Sequence, residues 1–161
     1  MKSSGFFLFA CLAVFLAGCR SNDEEFRRIV REEIAGAAMP RTIVKPVSVI
    51  GPYSPAVKIG RFLFVSGQIA MDSTGTLKNE SIEVETRQVL KNLNFILQSA
   101  GYDSSNAVSA TVYLKNMNDY QKMNLIYGGY FQEGNYPARV AVEVANLPRQ
   151  ANVEISLIAY K

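Results

Sequence analysis

The sequence contains no histidine and no tryptophan, and it has only two cysteines. Histidine is the commonest general base and the commonest metal ligand, so its absence excludes a Ser-His-Asp triad and a histidine-based zinc site. The cysteines are Cys11 and Cys19. Cys11 lies within an apolar N-terminal run that has the features of a cleaved leader, so the mature chain is expected to keep one thiol and no internal disulfide.

The chain also lacks a strong excess of charge. It has 17 Lys and Arg against 14 Asp and Glu, and Lys2 lies in the N-terminal leader, so 16 basic residues remain without it. A near-neutral chain lacks the excess of basic residues that nucleic-acid binding requires, so no nucleic-acid partner is expected. The 161 residues are 48% hydrophobic, which is sufficient for one packed domain with small additions.

The N-terminus has the organisation of a secretory leader. Lys2 precedes an apolar run of 12 residues at positions 6–17, too short for a membrane span of about 20. The following motif, LAGC at positions 16–19, resembles the bacterial lipobox, which implies cleavage before Cys19 and lipidation of its thiol. Several acyl chains on one residue anchor a protein firmly. Arg20 replaces the Asp of the inner-membrane retention signal, so we expect a lipid-anchored protein of the cell envelope, with the outer membrane favoured.

Residues 19–45 differ in composition from the rest of the chain. Charges of both signs alternate over positions 23–34, with a narrow apolar stripe at helical spacing formed by Phe26, Ile29, Val30 and Ile34. The pattern predicts a solvated spacer helix, and the alternative is a helix that binds a partner. Gly36 and Pro40 end it. The predicted organisation is therefore a leader at 1–18, a lipidated Cys and spacer at 19–45, and a folded domain at 46–161.

The domain alternates between the periods of strands and helices. Apolar positions at helical spacing predict a helix over about 82–100, followed by Gly101 as its stop, and a second helix capped by Asn118 or Asp119 that includes Tyr130. Alternating patterns predict strands near 62–68, 108–114, 140–144 and 153–157. This order predicts an α+β fold in which two helices cover one face of a mixed sheet. Burial of the other face would then require oligomerisation.

Two charged residues stand inside apolar strand patterns. Arg139 opens one β-branched run, and Glu154 lies between Val153 and Ile155 in the last. Such residues usually lie on the solvated face of a strand. The functional interpretation is that Arg139 binds a substrate carboxylate through its guanidinium fork, while Glu154 orients or activates water.

Together, the motifs resemble the RidA (YjgF) family over about residues 42–160. The matching blocks are IGPYS (50–54), VSGQI (65–69), TRQVLKNL (86–93), ATVYL (110–114), NDY (118–120) with MN (123–124), YF (130–131), PAR (137–139), and LP (147–148) followed by VEI (153–155). The resemblance implies a chorismate-mutase-like α+β fold and a homotrimer with sites in the clefts between subunits. It also implies hydrolysis of short-lived enamines and imines, such as 2-aminoacrylate, to 2-keto acids and ammonia, without a metal or organic cofactor.

The resemblance also assigns roles to individual residues. Arg139 falls on the arginine that binds the substrate carboxylate, and Glu154 on the glutamate that positions the attacking water. The remaining matches are Tyr53, Ser66 and Asn124 at active-site positions and Gly67 in the backbone lining beside the substrate. Archetypal members have a Cys two residues after the arginine, where this chain has Ala141. That departure bears on substrate preference more than on reaction type.

Two other functions remain open at the level of sequence. A non-catalytic module at the cell envelope could use Arg139 to capture a small carboxylate or amino acid. The presence of Glu154 as well favours an enzyme, because a carboxylate binder has no need of a negative group nearby. A nuclease is the third possibility, since some members of the family have been labelled endoribonucleases. The near-neutral charge and the lack of histidine argue against it.

Overall fold

The computed structural model describes part of the N-terminal region and nearly all of the predicted domain. The described residues are Glu24, Glu25, Arg27, Arg28, 39–46 and 51–161. The predicted leader and Cys19 lie outside them. Residues 1–39 and 40–161 form two compact units. In the first unit Glu24, Glu25, Arg27 and Arg28 of the predicted spacer are helical, with the Arg28 guanidinium 3.9 Å from the Glu25 carboxylate. Within the described residues, no helix has the length and apolar character needed to cross a membrane.

The second unit is built on one six-stranded sheet with the strand order β1-β2-β3-β6-β4-β5. All neighbouring strands are antiparallel except β4 and β5, which are parallel. Two helices accompany the sheet. The strands are β1 (Arg41–Val44), β2 (Ala56–Ile59), β3 (Phe62–Gln68), β4 (Ala107–Leu114), β5 (Ala138–Glu143) and β6 (Val153–Tyr160), and the helices are α1 (Ile82–Ser99) and α2 (Tyr120–Gly128).

Helix α1 matches its prediction because local signals mark both of its ends. The Ser81 side chain accepts a hydrogen bond from the Val84 backbone N–H, and Gly101 follows the helix at a φ of +79°. Its apolar side packs on β3 and β6. The buried residues at helical spacing are Val89, Leu90, Leu93, Ile96 and Leu97.

Helix α2 is shorter than predicted. It ends at Gly128, so Tyr130 lies beyond it, and Gly129 occupies the C-cap position. Asp119 occupies the N-cap position, one of the two predicted, but its side chain makes no capping hydrogen bond. The chain first makes a 3-10 turn, and Asn116 caps that turn by accepting from the Asn118 N–H.

The sheet begins before residue 46, the predicted start of the domain. Arg41–Val44 pair with β2 as an edge strand, although they lie within the predicted spacer. Three of these four residues are exposed, so the segment lacks the apolar alternation that reveals a strand. Strand β5 also starts earlier than predicted and ends at Glu143, before Val144.

The two faces of the sheet differ in character. One face packs under both helices and supplies buried residues such as Leu63, Val112 and Ile155 to the core. The other, which we call the open face, carries large apolar side chains that are 38–51% exposed: Phe62, Phe64, Val140, Val142 and Tyr160. The structure therefore confirms the predicted α+β fold, with a mixed sheet and two helices on one face.

Candidate functional site

Arg139 lies on the helix-covered face of the sheet. It pairs with Ala110 of β4, which pairs in turn with Leu157 of β6, and residues directly opposite on neighbouring strands project from the same face. Its Nη2 donates hydrogen bonds to Oδ1 of Asn124 at 2.7 Å and to Oη of Tyr120 at 3.1 Å, both on α2. Helix α2 therefore fixes the position of the guanidinium.

Aromatic rings support the same guanidinium. Its central carbon lies 4.4 Å from the ring centroid of Tyr127 and 5.7 Å from that of Tyr120, distances at which the ring faces attract a cation. Tyr127 is only 3% exposed, and burial raises the pKa of its phenol to about 12, with Arg139 acting in the opposite direction. Tyr127 is thus neutral at physiological pH. Arg139, Asn124, Tyr120 and Tyr127 form what we call the arginine half-site.

Glu154 lies on the open face, paired with Tyr113 of β4. A Cβ atom at Gly67 would fall 2.8 Å from Cδ of Glu154 and closer still to its Oε1, so only glycine leaves room for this carboxylate. Burial raises the pKa of Glu154. Within the part of the chain that the structure describes, no group donates a hydrogen bond to it. A partly buried carboxylate with a raised pKa and free lone pairs is suited to accept a proton from water.

The segment before Gly67 is tied to the turn that precedes β2. The Ser66 hydroxyl donates to the backbone oxygen of Ser54 at 2.7 Å, and the ladder between β3 and β6 is irregular between Val65 and Gln68. Tyr53, next to Ser54, is 47% exposed. We call Tyr53, Ser66, Gly67 and Glu154 the carboxylate half-site.

The predicted site residues therefore form two groups within one chain. Arg139 shares its face with Ala110 and Leu157, whereas Glu154 shares the opposite face with Tyr113. The structure brings Asn124 to Arg139 and Gly67 to Glu154. Ser66 is the chain neighbour of Gly67, and its hydroxyl is bonded to Ser54. It does not bring Arg139 and Glu154 into one cleft of a single chain.

Tyr120 and Tyr127 are not among the site residues that the sequence predicts. Tyr120 belongs to the NDY motif at 118–120. Their signal was the spacing of Tyr120, Asn124 and Tyr127, which places all three on one side of a helix. Ala141 lies on the same face as Arg139, opposite Val112, and is partly buried against the core.

Comparisons with known proteins agree with this architecture. Residues 42–161 match the family described as Endoribonuclease L-PSP. A RutC family protein of Pyrococcus horikoshii is 53% identical over 113 residues, covering 70% of this chain and 89% of that protein. A mouse protein named 2-iminobutanoate/2-iminopropanoate deaminase is 48% identical over 116 residues, covering 71% of this chain and 85% of its own.

Solved structures give the same result. A Rid family protein of Yersinia pestis, YyfA, superposes with a TM-score of 0.72 at 40% identity, covering 76% of this chain and all of its own. The YjgF gene product of Escherichia coli gives a TM-score of 0.70 at 34% identity, covering 74% of this chain and 98% of its own. The chain therefore belongs to the Endoribonuclease L-PSP family, which is the RidA (YjgF) family that its motifs resemble.

Proposed function

We propose that this protein hydrolyses reactive imines and their enamine tautomers, of the 2-aminoacrylate and 2-iminopropanoate type, to 2-keto acids and ammonia. The observation that carries the proposal is the pre-positioned guanidinium of Arg139, held by two hydrogen bonds and an aromatic ring at a site suited to a small carboxylate. The names of the mouse and human relatives, both 2-iminobutanoate/2-iminopropanoate deaminase, support the same reaction class.

The proposed mechanism needs no covalent nucleophile, because a protonated imine carbon is already electrophilic. Arg139 binds the carboxylate and so orients the imine carbon beside a water molecule. Glu154 accepts a proton from that water as its oxygen bonds to the imine carbon, giving a carbinolamine. Glu154 then returns the proton to the nitrogen, and the C–N bond breaks with its electron pair leaving on ammonia. The Glu154 carboxylate accepts the hydroxyl proton as the C=O bond of the keto acid forms, and it passes this proton to solvent. General base catalysis of this kind typically contributes about 10²- to 10⁴-fold.

The proposed site is assembled between subunits. Arg139 and Glu154 project from opposite faces of one sheet, so a substrate can meet both only where two chains adjoin. The exposed apolar side chains of the open face provide a surface for that association. We propose a homotrimer with closed symmetry, in which each arginine half-site faces the carboxylate half-site of a neighbour.

The reaction is tested by measuring ammonia release from imines generated in situ by an amino-acid oxidase. The purified protein should raise the release rate above the spontaneous rate. Imines of different side-chain size should be compared, because Ala141 lies beside Arg139 in place of the family's Cys. A rate equal to the spontaneous one for every imine would refute the proposal.

A binding module remains the second candidate, because the arginine half-site is complete within one chain, without Glu154. Glu154→Gln separates the two functions. In an enzyme this variant should bind pyruvate normally and lose turnover. In a binding module, wild type itself should show no turnover, and pyruvate binding should depend on Arg139 while remaining indifferent to Glu154.

We further propose that the protein is anchored in the cell envelope by lipid on Cys19. The support is the sequence alone, an apolar run of 12 residues followed by LAGC at positions 16–19. Cys19→Ser should abolish incorporation of labelled fatty acid and leave unprocessed or mislocalised protein on membrane fractionation. Equal label on wild type and variant would contradict the proposal.

A further inference from the structure

The Tyr120 hydroxyl accepts a hydrogen bond from a nitrogen of Arg139 that a substrate carboxylate would need. Nη2 of Arg139 carries two hydrogens, and two acceptors take them: Oδ1 of Asn124 at 2.7 Å and Oη of Tyr120 at 3.1 Å. Elsewhere in the described part of the chain, no acceptor lies within hydrogen-bond distance of Nη1 or Nε. Nη2 of this guanidinium is thus fully hydrogen-bonded, while Nη1 and Nε have no partner among the described residues.

A bidentate carboxylate requires two parallel N–H bonds from one guanidinium. The two pairs of nitrogens that provide them are Nη1 with Nη2, and Nε with Nη2. Each pair includes Nη2, whose hydrogens already have partners in Asn124 and Tyr120. Bidentate binding therefore requires one of those two partners to leave.

The chemistry of the two acceptors decides which one leaves. The bond to Tyr120 is the longer, and a neutral phenol oxygen is a weaker acceptor than a carboxylate. A phenol can also reverse its role, since the same hydroxyl that accepts from Nη2 can donate to an incoming oxygen. Asn124 can present its amide N–H group to the carboxylate only by turning its side chain over, which breaks the shorter bond of 2.7 Å.

We propose that Tyr120 is a substrate-binding residue that exchanges partners when the carboxylate binds. In the free protein its hydroxyl accepts from Nη2 of Arg139. In the complex the carboxylate takes that hydrogen, and the Tyr120 hydroxyl donates to the same carboxylate oxygen. This inference rests on the proposed function. The partner exchange would add to that function a specificity for planar carboxylates.

Tyr120→Phe removes the hydroxyl and keeps the aromatic ring near Arg139. In the full-length chain purified in detergent, we expect the Kd for pyruvate, measured by calorimetry, to rise about 5- to 10-fold, since the lost bond is to a charged acceptor. The KM for the imine should rise to a similar extent while kcat changes little, because the contact serves substrate and transition state alike. Binding of pyruvamide, which lacks the carboxylate, should not change.

Tyr102→Phe is the matched control. It loses a hydroxyl bond of the same 3.1 Å length, to the backbone oxygen of Arg61, outside both half-sites. A general loss of stability would affect both variants, whereas the proposal requires that only Tyr120→Phe weakens pyruvate binding.

Each outcome bears on a definite claim. If wild type hydrolyses the imine and Tyr120→Phe binds pyruvate as tightly as wild type or more tightly, the role of Tyr120 is wrong and the proposed function stands. If wild type has no turnover but Tyr120→Phe weakens pyruvate binding, the deaminase function is wrong and the partner exchange stands. If wild type neither hydrolyses any imine nor binds pyruvate, both are wrong. If wild type hydrolyses the imine without measurable pyruvate binding, KM decides, and an unchanged KM in Tyr120→Phe refutes the role of Tyr120 while the proposed function stands.

Discussion

At the scale of single residues, the arginine half-site is organised before any ligand arrives. Asn124 and Tyr120 fix one end of the Arg139 guanidinium, and the Tyr127 ring lies against it. A pre-positioned group loses little conformational freedom on binding, which improves affinity for a small anion. The shape of the guanidinium is part of this arrangement, since an ammonium offers neither a planar fork nor a stacking surface.

Arg139→Lys should therefore fail to preserve activity, although it keeps the charge. We expect kcat/KM for the imine to fall by the equivalent of about 2–5 kcal/mol, the range seen when a desolvated, hydrogen-bonded charge pair loses one partner. Steady-state kinetics of ammonia release provide the measurement. Arg149→Lys, at an exposed 3-10 turn, is the control and should behave like wild type. Retention of most activity by Arg139→Lys would contradict the claim that the substrate requires the planar, two-pronged guanidinium.

A second prediction concerns Glu154 and the pH dependence of folding stability. Burial raises its folded-state pKa, so the folded protein binds this proton more tightly than the unfolded chain. The free energy of unfolding then falls as the pH rises from the unfolded pKa, about 4.3, through the raised pKa of the folded state. Above that folded-state pKa, the loss of stability caused by burying the charge persists. Glu154→Gln removes the penalty. The variant should be more stable than wild type to urea at pH 7, and the difference should shrink as the pH falls to about 4.

Glu83→Gln is the opposite case. The pKa of Glu83 is lowered, chiefly by a backbone hydrogen bond, so its charge favours folding at neutral pH. Its replacement should not stabilise the protein at pH 7. Equal stability of wild type and Glu154→Gln at every pH would show that burial of the Glu154 charge has no energetic consequence.

At the scale of elements, helix α1 is joined to the start of β6 by a buried carboxylate. Glu85 has no exposed surface, and its two oxygens accept hydrogen bonds from the backbone N–H of Asn152 at 2.7 Å and from Nδ2 of the same residue at 2.9 Å. Asn152 directly precedes β6, the strand that carries Glu154. The contact thus couples the packing of α1 to the position of the carboxylate half-site.

Glu85→Ala should be strongly destabilising, because it leaves two partly buried donors of Asn152 without an acceptor and opens a cavity. We expect a loss of about 3 kcal/mol in the free energy of unfolding, measured by urea denaturation at fixed protein concentration. Glu83→Ala, in the first turn of the same helix, should lose much less stability than Glu85→Ala, because Glu83 is solvent-exposed. Equal losses in the two variants would contradict the role assigned to Glu85.

The sequence predicted elements well where local signals were strong. Helix α1 has a Ser cap, a long apolar side and a Gly stop, and all three act within a few residues. Strand β1 is an exposed edge whose pairing with β2 provides its stability, so no local pattern predicts it. Helix α2 was overestimated because apolar residues continue past Gly128 into a segment that packs on the core without helical structure, including Tyr130.

The sequence names the candidate residues of the site, but it does not predict their geometry. A charge within a β-branched strand pointed to Arg139 and Glu154. Their opposite faces depend on the register of β4 against both β5 and β6, which is a tertiary property. The partners of Arg139 come from α2, whose placement over β5 is equally non-local.

At the scale of the whole molecule, the apolar open face and the divided site have one common explanation. A sheet with exposed Phe64, Val140 and Val142 is expected to associate, and we propose that this association brings Arg139 of one chain to Glu154 of another. Residues 20–161 should therefore sediment at about three times the monomer mass. A clean monomer at micromolar concentration would refute both the trimer and the shared site.

Mixing two inactive variants tests the shared site directly. In a mixed trimer, an intact site forms wherever a Glu154→Gln chain supplies Arg139 and the adjoining Arg139→Lys chain supplies Glu154. After unfolding and refolding together at equal concentration, about a quarter of the wild-type activity should return if chains assort at random. Each variant refolded alone is the control and should stay inactive. If both residues served one site within a single chain, no mixture would recover activity.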